Sequence, residues 1–227
     1  IMNKKKIIVG ARGSKLAIKY AKIAIREIKK FYNGKIELKK IVTKGDRILN
    51  RRTSDIGGKG EFVKNIEKEL ISKKIDIAVH SLKDIPYEET PGLNIKTFLK
   101  RNSPKEVLIS RNNLSFEKLK KNSVVGTSSF RREFQLKKMR PDLKFKLIRG
   151  NIDSRIKKIY EKKYDAIILA KAGLKCLKMT SLITQEFDCD KIIPSAGQGI
   201  ISLQSRKNDN KINKLLKKVN DKNTGIR

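Results

Sequence analysis

Short apolar runs alternate with amphipathic ones along most of the 227 residues. Lys6 to Gly10 predicts a first strand, and Gly10-Ala11-Arg12-Gly13-Ser14 a turn. Ser14 suits a helix N-cap, because its hydroxyl can accept from a free amide of the first turn. A helix should follow to about Phe31, with Leu16, Tyr20, Ala24, Ile28 and Phe31 on one stripe. Ile36 to Val42 alternates as a strand, and a long polar stretch with several glycines runs from Thr43 to Gly60. Phe62 to Ser72 reads as a helix with Phe62, Ile66 and Leu70 on its apolar face. Ile75 to Val79 is a strand running into His80-Ser81-Leu82-Lys83-Asp84-Ile85, and Pro86 ends it, since proline has no amide to donate to a sheet.

Further strands are expected at 94–99, 107–110, 124–126, 145–148, 166–170 and 200–203. Helices should open at Thr127-Ser128-Ser129, cover Ile152 to Glu161, and run from Asn208 to Val219. Such alternation argues for parallel sheets with helices on both faces. The polar link Lys100 to Pro104 is a crossing into a second unit, and the strand at Ile200 is placed to return to the first. The expected fold is α/β: two doubly wound lobes joined by a double crossover, with a cleft between them. Domain 1 would comprise residues 1–99 and 200–219, domain 2 residues 100–199, and 220–227 would begin a linker.

The ends of these strands carry the polar chemistry. The first is followed by Arg12 and Ser14, and the strand at Val79 by Ser81, Lys83 and Asp84. Thr127, Ser129, Arg131 and Arg132 follow Val124-Val125-Gly126, and Arg149, Asn151 and Arg155 follow Phe145 to Ile148. Ligands of open α/β sheets bind at the carboxyl ends of strands. Helix N-termini and guanidinium groups there would attract carboxylates or phosphates. Arg131 and Arg132 fall in a first helical turn, where each opposes the helix dipole by about 0.3–1 kcal/mol, and a bound polyanion would offset that. Two solvated arginines are the plainer alternative. Gly57-Gly58-Lys59-Gly60 matches no nucleotide-binding glycine pattern, and reads as a lid carrying Lys59 or as a plain glycine turn.

Composition narrows the partners. Lysine and arginine number 56 against 23 acidic residues, a net charge of +33. The excess is lysine spread through every segment, which favours solvated lysines over a nucleic-acid stripe on one face. The single histidine, His80, has no metal partners in the pattern and reads as a packed residue at a strand end. Cys176 reads as a small core residue and Cys189 as a loop bystander, with no disulfide or metal motif, which suits a reducing compartment. No run reaches transmembrane length and no signal peptide is visible. Ile1 before Met2 and the stop at Arg227 hint at a fragment.

The ordered stretches 10–17, Thr43-Lys44-Gly45-Asp46, 57–60, 78–86, 125–132, 148–151 and Ala196-Gly197-Gln198-Gly199 together resemble the porphobilinogen deaminase (hydroxymethylbilane synthase) family over nearly the whole chain. The resemblance implies a cytoplasmic, monomeric transferase of tetrapyrrole and heme biosynthesis, with lobes like those of type II periplasmic binding proteins. It would condense four porphobilinogen molecules head to tail with release of ammonia, on a dipyrromethane cofactor, needing neither membrane nor specific nucleic acid. Asp84 would be the catalytic acid and base, expelling the amino group, stabilising the azafulvene-like cation and accepting the pyrrole proton. Arg12, Ser14, Lys83, Ser129, Arg131, Arg132, Arg149 and Arg155 would bind the acetate and propionate groups. Ser81, Thr127, Gly150 and Asn151 would line the site, with Lys59 on the lid. The family tethers its cofactor to a glycine-flanked cysteine of a third, α+β domain. This chain stops about where that domain would begin, and neither cysteine has the flanking pattern. An inactive two-lobe binder of polycarboxylates or pyrroles is therefore the alternative, and nonspecific nucleic-acid binding through lysine a third reading.

Overall fold

The computed structural model describes residues 6–42, 60 and 63–226. The stretch from Thr43 to Lys59, including the expected lid lysine, and Phe62 lie outside the described residues. The chain divides into two compact units: one holds the described residues up to Asn102 and those from Ile200 onward, the other runs from Ser103 to Gly199.

In the first unit, β1 (Ile7–Arg12), β2 (Ile36–Ile41), β3 (Ile77–Ser81), β4 (Leu93–Phe98) and β10 (Ile201–Arg206) form a sheet in the order β2-β1-β3-β10-β4. Helices α1 (Lys15–Lys29) and α6 (Asn210–Val219) cover one face, where Val9, Val79 and Leu203 meet Ala21, Ala24, Ile28 and Leu216. Helix α2 (Lys64–Ile71) covers the other, through Ile66 and Leu70 against Ile41, Ile75 and Ala78. The α1 core stripe is Ala21, Ala24 and Ile28; the helix ends at Lys29, so Phe31 lies past it and is half exposed.

In the second unit, β5 (Glu106–Ser110), β6 (Val124–Gly126), β7 (Lys144–Lys146), β8 (Ala166–Ala170) and β9 (Gln185–Phe187) form a sheet ordered β7-β6-β8-β5-β9. Helix α3 (Phe130–Met139) packs Leu136 into a cluster with Phe116, Val125, Ile168 and Phe187. Helices α4 (Ile152–Tyr160) and α5 (Lys171–Cys176) contribute Ile156, Ile159 and Leu174 to a second cluster with Val107, Ile109 and Ile167. Both lobes are thus doubly wound α/β units.

Purely parallel sheets were the expectation, and both sheets are mixed. In each, one strand runs against the rest: β10 pairs antiparallel with β3 and β4, and β5 antiparallel with β8 and β9. These are the first strands after the chain crosses between units. Such a strand needs no helical crossover within its own sheet, and so is not bound to the parallel direction. A second departure is at 220–226, where a linker was expected. Helix α7 (Lys222–Ile226) forms there and is tied to the first unit. Asn220 Oδ1 accepts from the Phe98 amide at 2.8 Å, and Thr224 Oγ1 from the Arg101 amide at 3.0 Å. Side-chain acceptors satisfy backbone amides at the edge strand β4 and just beyond it, and hold the segment down.

Candidate functional site

Strands β1 and β3 run parallel with Gly10 opposite Ala78. Continuing that register by two residues sets Arg12 beside His80 at the carboxyl edge of the first sheet. Ser14 caps α1 as its sequence position implies, its hydroxyl accepting from the Ala17 amide at 3.2 Å. Ser81 closes β3, and Leu82–Asp84 form one tight helical turn whose Leu82 carbonyl accepts from the Ile85 amide at 3.1 Å. Arg12, Ser14, Ser81, Lys83 and Asp84 are all half-buried. One sheet edge therefore gathers two cations, two hydroxyls and a carboxylate within solvent reach.

His80 is buried just behind that edge, at 7% exposure, with Nε2 2.9 Å from Gln204 Oε1. Burial pushes its imidazole below the ordinary value of 6.5; the bond to Gln204 and the charges of Glu67 and Asp84 act the other way, and Arg12 reinforces burial. The reading of His80 as a packed strand-end residue matches this environment.

The second sheet repeats the arrangement with more arginine. Parallel β6 and β7 bring Gly126 opposite Lys146, and the Thr127 amide donates to the Lys146 carbonyl at 3.0 Å. The Thr127 hydroxyl accepts from the Ser129 amide at 3.2 Å, and Ser129 caps α3 by accepting from the Arg132 amide at 3.4 Å. After β7, Gly150 adopts φ +108°, a conformation that favours glycine, and Asn151 leads into α4. Arg155 Nε donates to the Gly150 carbonyl at 2.8 Å and braces this turn. Arg149 is buried and Arg155 half-buried.

Arg131 and Arg132 are not two solvated arginines. Both bind Glu106, the first residue of β5, which has no exposed surface. Arg132 is buried and donates to Glu106 Oε2 at 2.7 Å and to the Ile168 carbonyl at 3.2 Å, so its terminal nitrogens serve the interior of the lobe. Arg131 retains 29% side-chain exposure while donating to Glu106 Oε1 and to the Ile193 carbonyl. Glu106 went unnoticed in the sequence; an acidic residue heading the apolar run Val107-Leu108-Ile109 was the available signal. Neither cysteine is in a disulfide and both are half-buried, and among the described residues no His, Cys, Asp or Glu cluster is placed to hold a metal ion. No helix among them is long and apolar enough to cross a membrane.

Residues 7–214 match the family model described as "Porphobilinogen deaminase, dipyromethane cofactor binding domain". The chain belongs to the porphobilinogen deaminase family. It is 43% identical to the porphobilinogen deaminase of Oceanobacillus iheyensis, over 96% of this chain and 71% of that protein. Against that of Bacillus cereus strain B4264 the identity is 46% over the same shares. The family places the chain among transferases of tetrapyrrole synthesis, and the matched segment is the part that binds the dipyrromethane cofactor. Solved structures with the same fold include a YaeC-family lipoprotein of Enterococcus faecalis, at TM-score 0.57 and 15% identity, covering 97% of this chain and 93% of that one. An ancestral arginine-binding protein gives 0.52 at 17% identity, covering 96% and 91%. At such low identity the likeness concerns the fold alone, that of the type II periplasmic binding proteins.

The donor set fits the family's cofactor. Dipyrromethane carries acetate and propionate groups, and each unit's sheet edge by itself offers guanidinium groups, hydroxyls and a helix N-terminus, which suit carboxylates.

Proposed function

We propose that this chain provides the binding and proton-transfer machinery of a hydroxymethylbilane synthase, condensing porphobilinogen stepwise with loss of ammonia. The observation that carries this reading is the joint placement of Arg12, Ser14, Ser81, Lys83 and Asp84 on the adjacent ends of β1 and β3. Asp84 is the one carboxylate in that set. It gives a proton to the departing amine, offers negative charge to the cation left on the pyrrole methylene, and takes up the ring proton after coupling. Arg12, Lys83 and Ser14 hold carboxylates of the reacting pyrroles. Arg131, Arg149, Arg155, Ser129 and the Gly150-Asn151 turn do so on the second lobe, with Thr127 shaping the turn. Arg132 acts through Glu106 and the lobe interior. When bound, dipyrromethane supplies the pyrrole position to which the first substrate unit is joined. The working form we infer is a cytoplasmic monomer.

The test is porphobilinogen consumption and hydroxymethylbilane formation by this polypeptide and by Asp84→Asn, with mass spectrometry for a covalently held dipyrromethane. Turnover that falls at least about a hundredfold in the variant supports the role of Asp84. Full turnover in Asp84→Asn would exclude it. Binding of a dipyrrole without turnover in the parent chain would identify a polycarboxylate binder instead.

A further inference from the structure

A polar chain, buried at His80 and Gln204 and half-buried at Glu67 and Thr90, reaches the Asp84 edge from the side of α2. Thr90 donates to Glu67 Oε2 at 2.7 Å, Gln204 Nε2 donates to Glu67 Oε1 at 2.7 Å, and Gln204 Oε1 faces His80 Nε2 at 2.9 Å. Four segments contribute: α2, β3 and the loop before β4, which lie close together in sequence, and β10, which is more than a hundred residues away. Gln204 is 2% exposed and His80 7%. Nothing in the proton-transfer scheme above uses any of the four.

The direction of these bonds fixes a tautomer. Both Glu67 oxygens accept, so the Gln204 amide must turn its NH2 toward Glu67 and its oxygen toward His80. An oxygen acceptor requires the proton on His80 Nε2. In a neutral ring Nδ1 is then the acceptor nitrogen. Among the described residues, the charged groups acting on the ring are Glu67 on α2, Asp84 on the following turn and Arg12 on the neighbouring strand.

We propose that Glu67, Gln204 and His80 form a positioning chain for Asp84, holding the ring beside Arg12 neutral with its proton on Nε2, so that the sheet edge carries an acceptor there rather than a third cation beside Arg12 and Lys83. An imidazolium at this place would pair with Asp84, hold its carboxylate charged and draw it from the substrate. It would also repel Arg12. The neutral ring leaves Asp84 free to take and give protons. This rests on the reading of Asp84 as acid and base, but the state of the ring is measurable without it.

His80 is the single histidine of the sequence, so the ring 15N resonances of the labelled protein need no assignment. We expect one pyrrole-like and one pyridine-like nitrogen at neutral pH, with the ring taking up its second proton only below the ordinary 6.5. In Glu67→Gln the Gln204 amide loses its orientation, and the two ring nitrogens should move toward a tautomer average. In Gln204→Glu a carboxylate meets Nε2, the ring should become cationic at neutral pH, and porphobilinogen turnover should fall at least about tenfold. A parent ring that titrates near 6.5, or is protonated on Nδ1, overturns the proposal even if both variants misfold. So does unchanged turnover beside a cationic ring. If the ring behaves as described and Asp84→Asn keeps full turnover, the acid-base reading fails while the tautomer assignment stands.

Discussion

Glu106 Oε2 binds the Arg132 guanidinium at 2.7 Å where neither residue has appreciable contact with water. Two arginines share this one carboxylate, so its charge is needed where it lies. Glu106→Gln keeps the shape and removes the charge. It should cost about 3–5 kcal/mol, the usual result of leaving a buried charge without its partner. Urea unfolding of the two proteins measures this. The double variant Glu106→Leu with Arg132→Met should recover most of the loss, because an apolar pair needs no compensation. An equal loss in both would assign the effect to packing alone.

Arg131 and Arg132 should separate in their effects although they are neighbours. Arg132→Ala removes a buried cation and strands Glu106, so its effect should appear in the unfolding midpoint. Arg131→Ala removes a partly exposed cation and should shift stability by no more than about 1–2 kcal/mol. Its effect should appear instead as roughly tenfold weaker binding of a dipyrrole tetracarboxylate, since a charge-assisted contact is lost. Isothermal titration with each variant reads the difference. The same loss of binding in both, at matched stability, would mean that Arg132 also reaches the ligand.

The contrast shows what the sequence could and could not convey. Strand ends, caps and the polar clusters at 12–14, 81–84, 127–132 and 149–155 are local features, and period and capping chemistry expose them. Ser14 and Ser129 cap as their positions imply. The pairing of Glu106 with the two arginines could not be read, because they lie 25 and 26 residues away and their shared burial depends on β5 lying beside β8. The antiparallel direction of β5 and β10 is equally non-local. The short strand β9, with two of its three residues polar and only Phe187 buried, has too little alternation to read. For His80 the sequence supported burial, but its partner is 124 residues distant.

Arg206 joins the two chain segments that make up the first unit, and its loss should be felt throughout that unit. It donates to the carbonyls of Leu70 at 2.8 Å and Ile75 at 2.7 Å, and to Asp76 and Asp209 at 3.2 and 2.8 Å. Arg206→Met keeps the apolar stem and leaves these acceptors without their donor. It should destabilise by about 3 kcal/mol or more. Hydrogen exchange gives the location: amides of α2, β3 and β10 should lose protection, while those of the second unit should keep theirs. Uniform loss in both units would show that they unfold as one.

The buried imidazole also gives stability a pH dependence. Burial lowers the His80 pKa in the folded chain, whereas the unfolded chain takes up its proton near 6.5. Below that value the unfolded state binds more protons, so stability falls as pH drops from 6.5 toward the folded value, by at most about 1.4 kcal/mol per unit. Carboxylates held low by partners act in the same direction but further down. Backbone and Gln185 hydrogen bonds lower Glu117, and Arg140 lowers Asp142, from ordinary values of 4.5 and 3.8. Their contribution is intact above those values and is lost beneath them. The interval from about pH 7 to 5.5 therefore isolates the histidine. Urea midpoints across it should fall for the parent chain and stay flatter in His80→Gln, which has no titrating ring. Parallel slopes would show that the imidazole takes up its proton equally well in the folded chain.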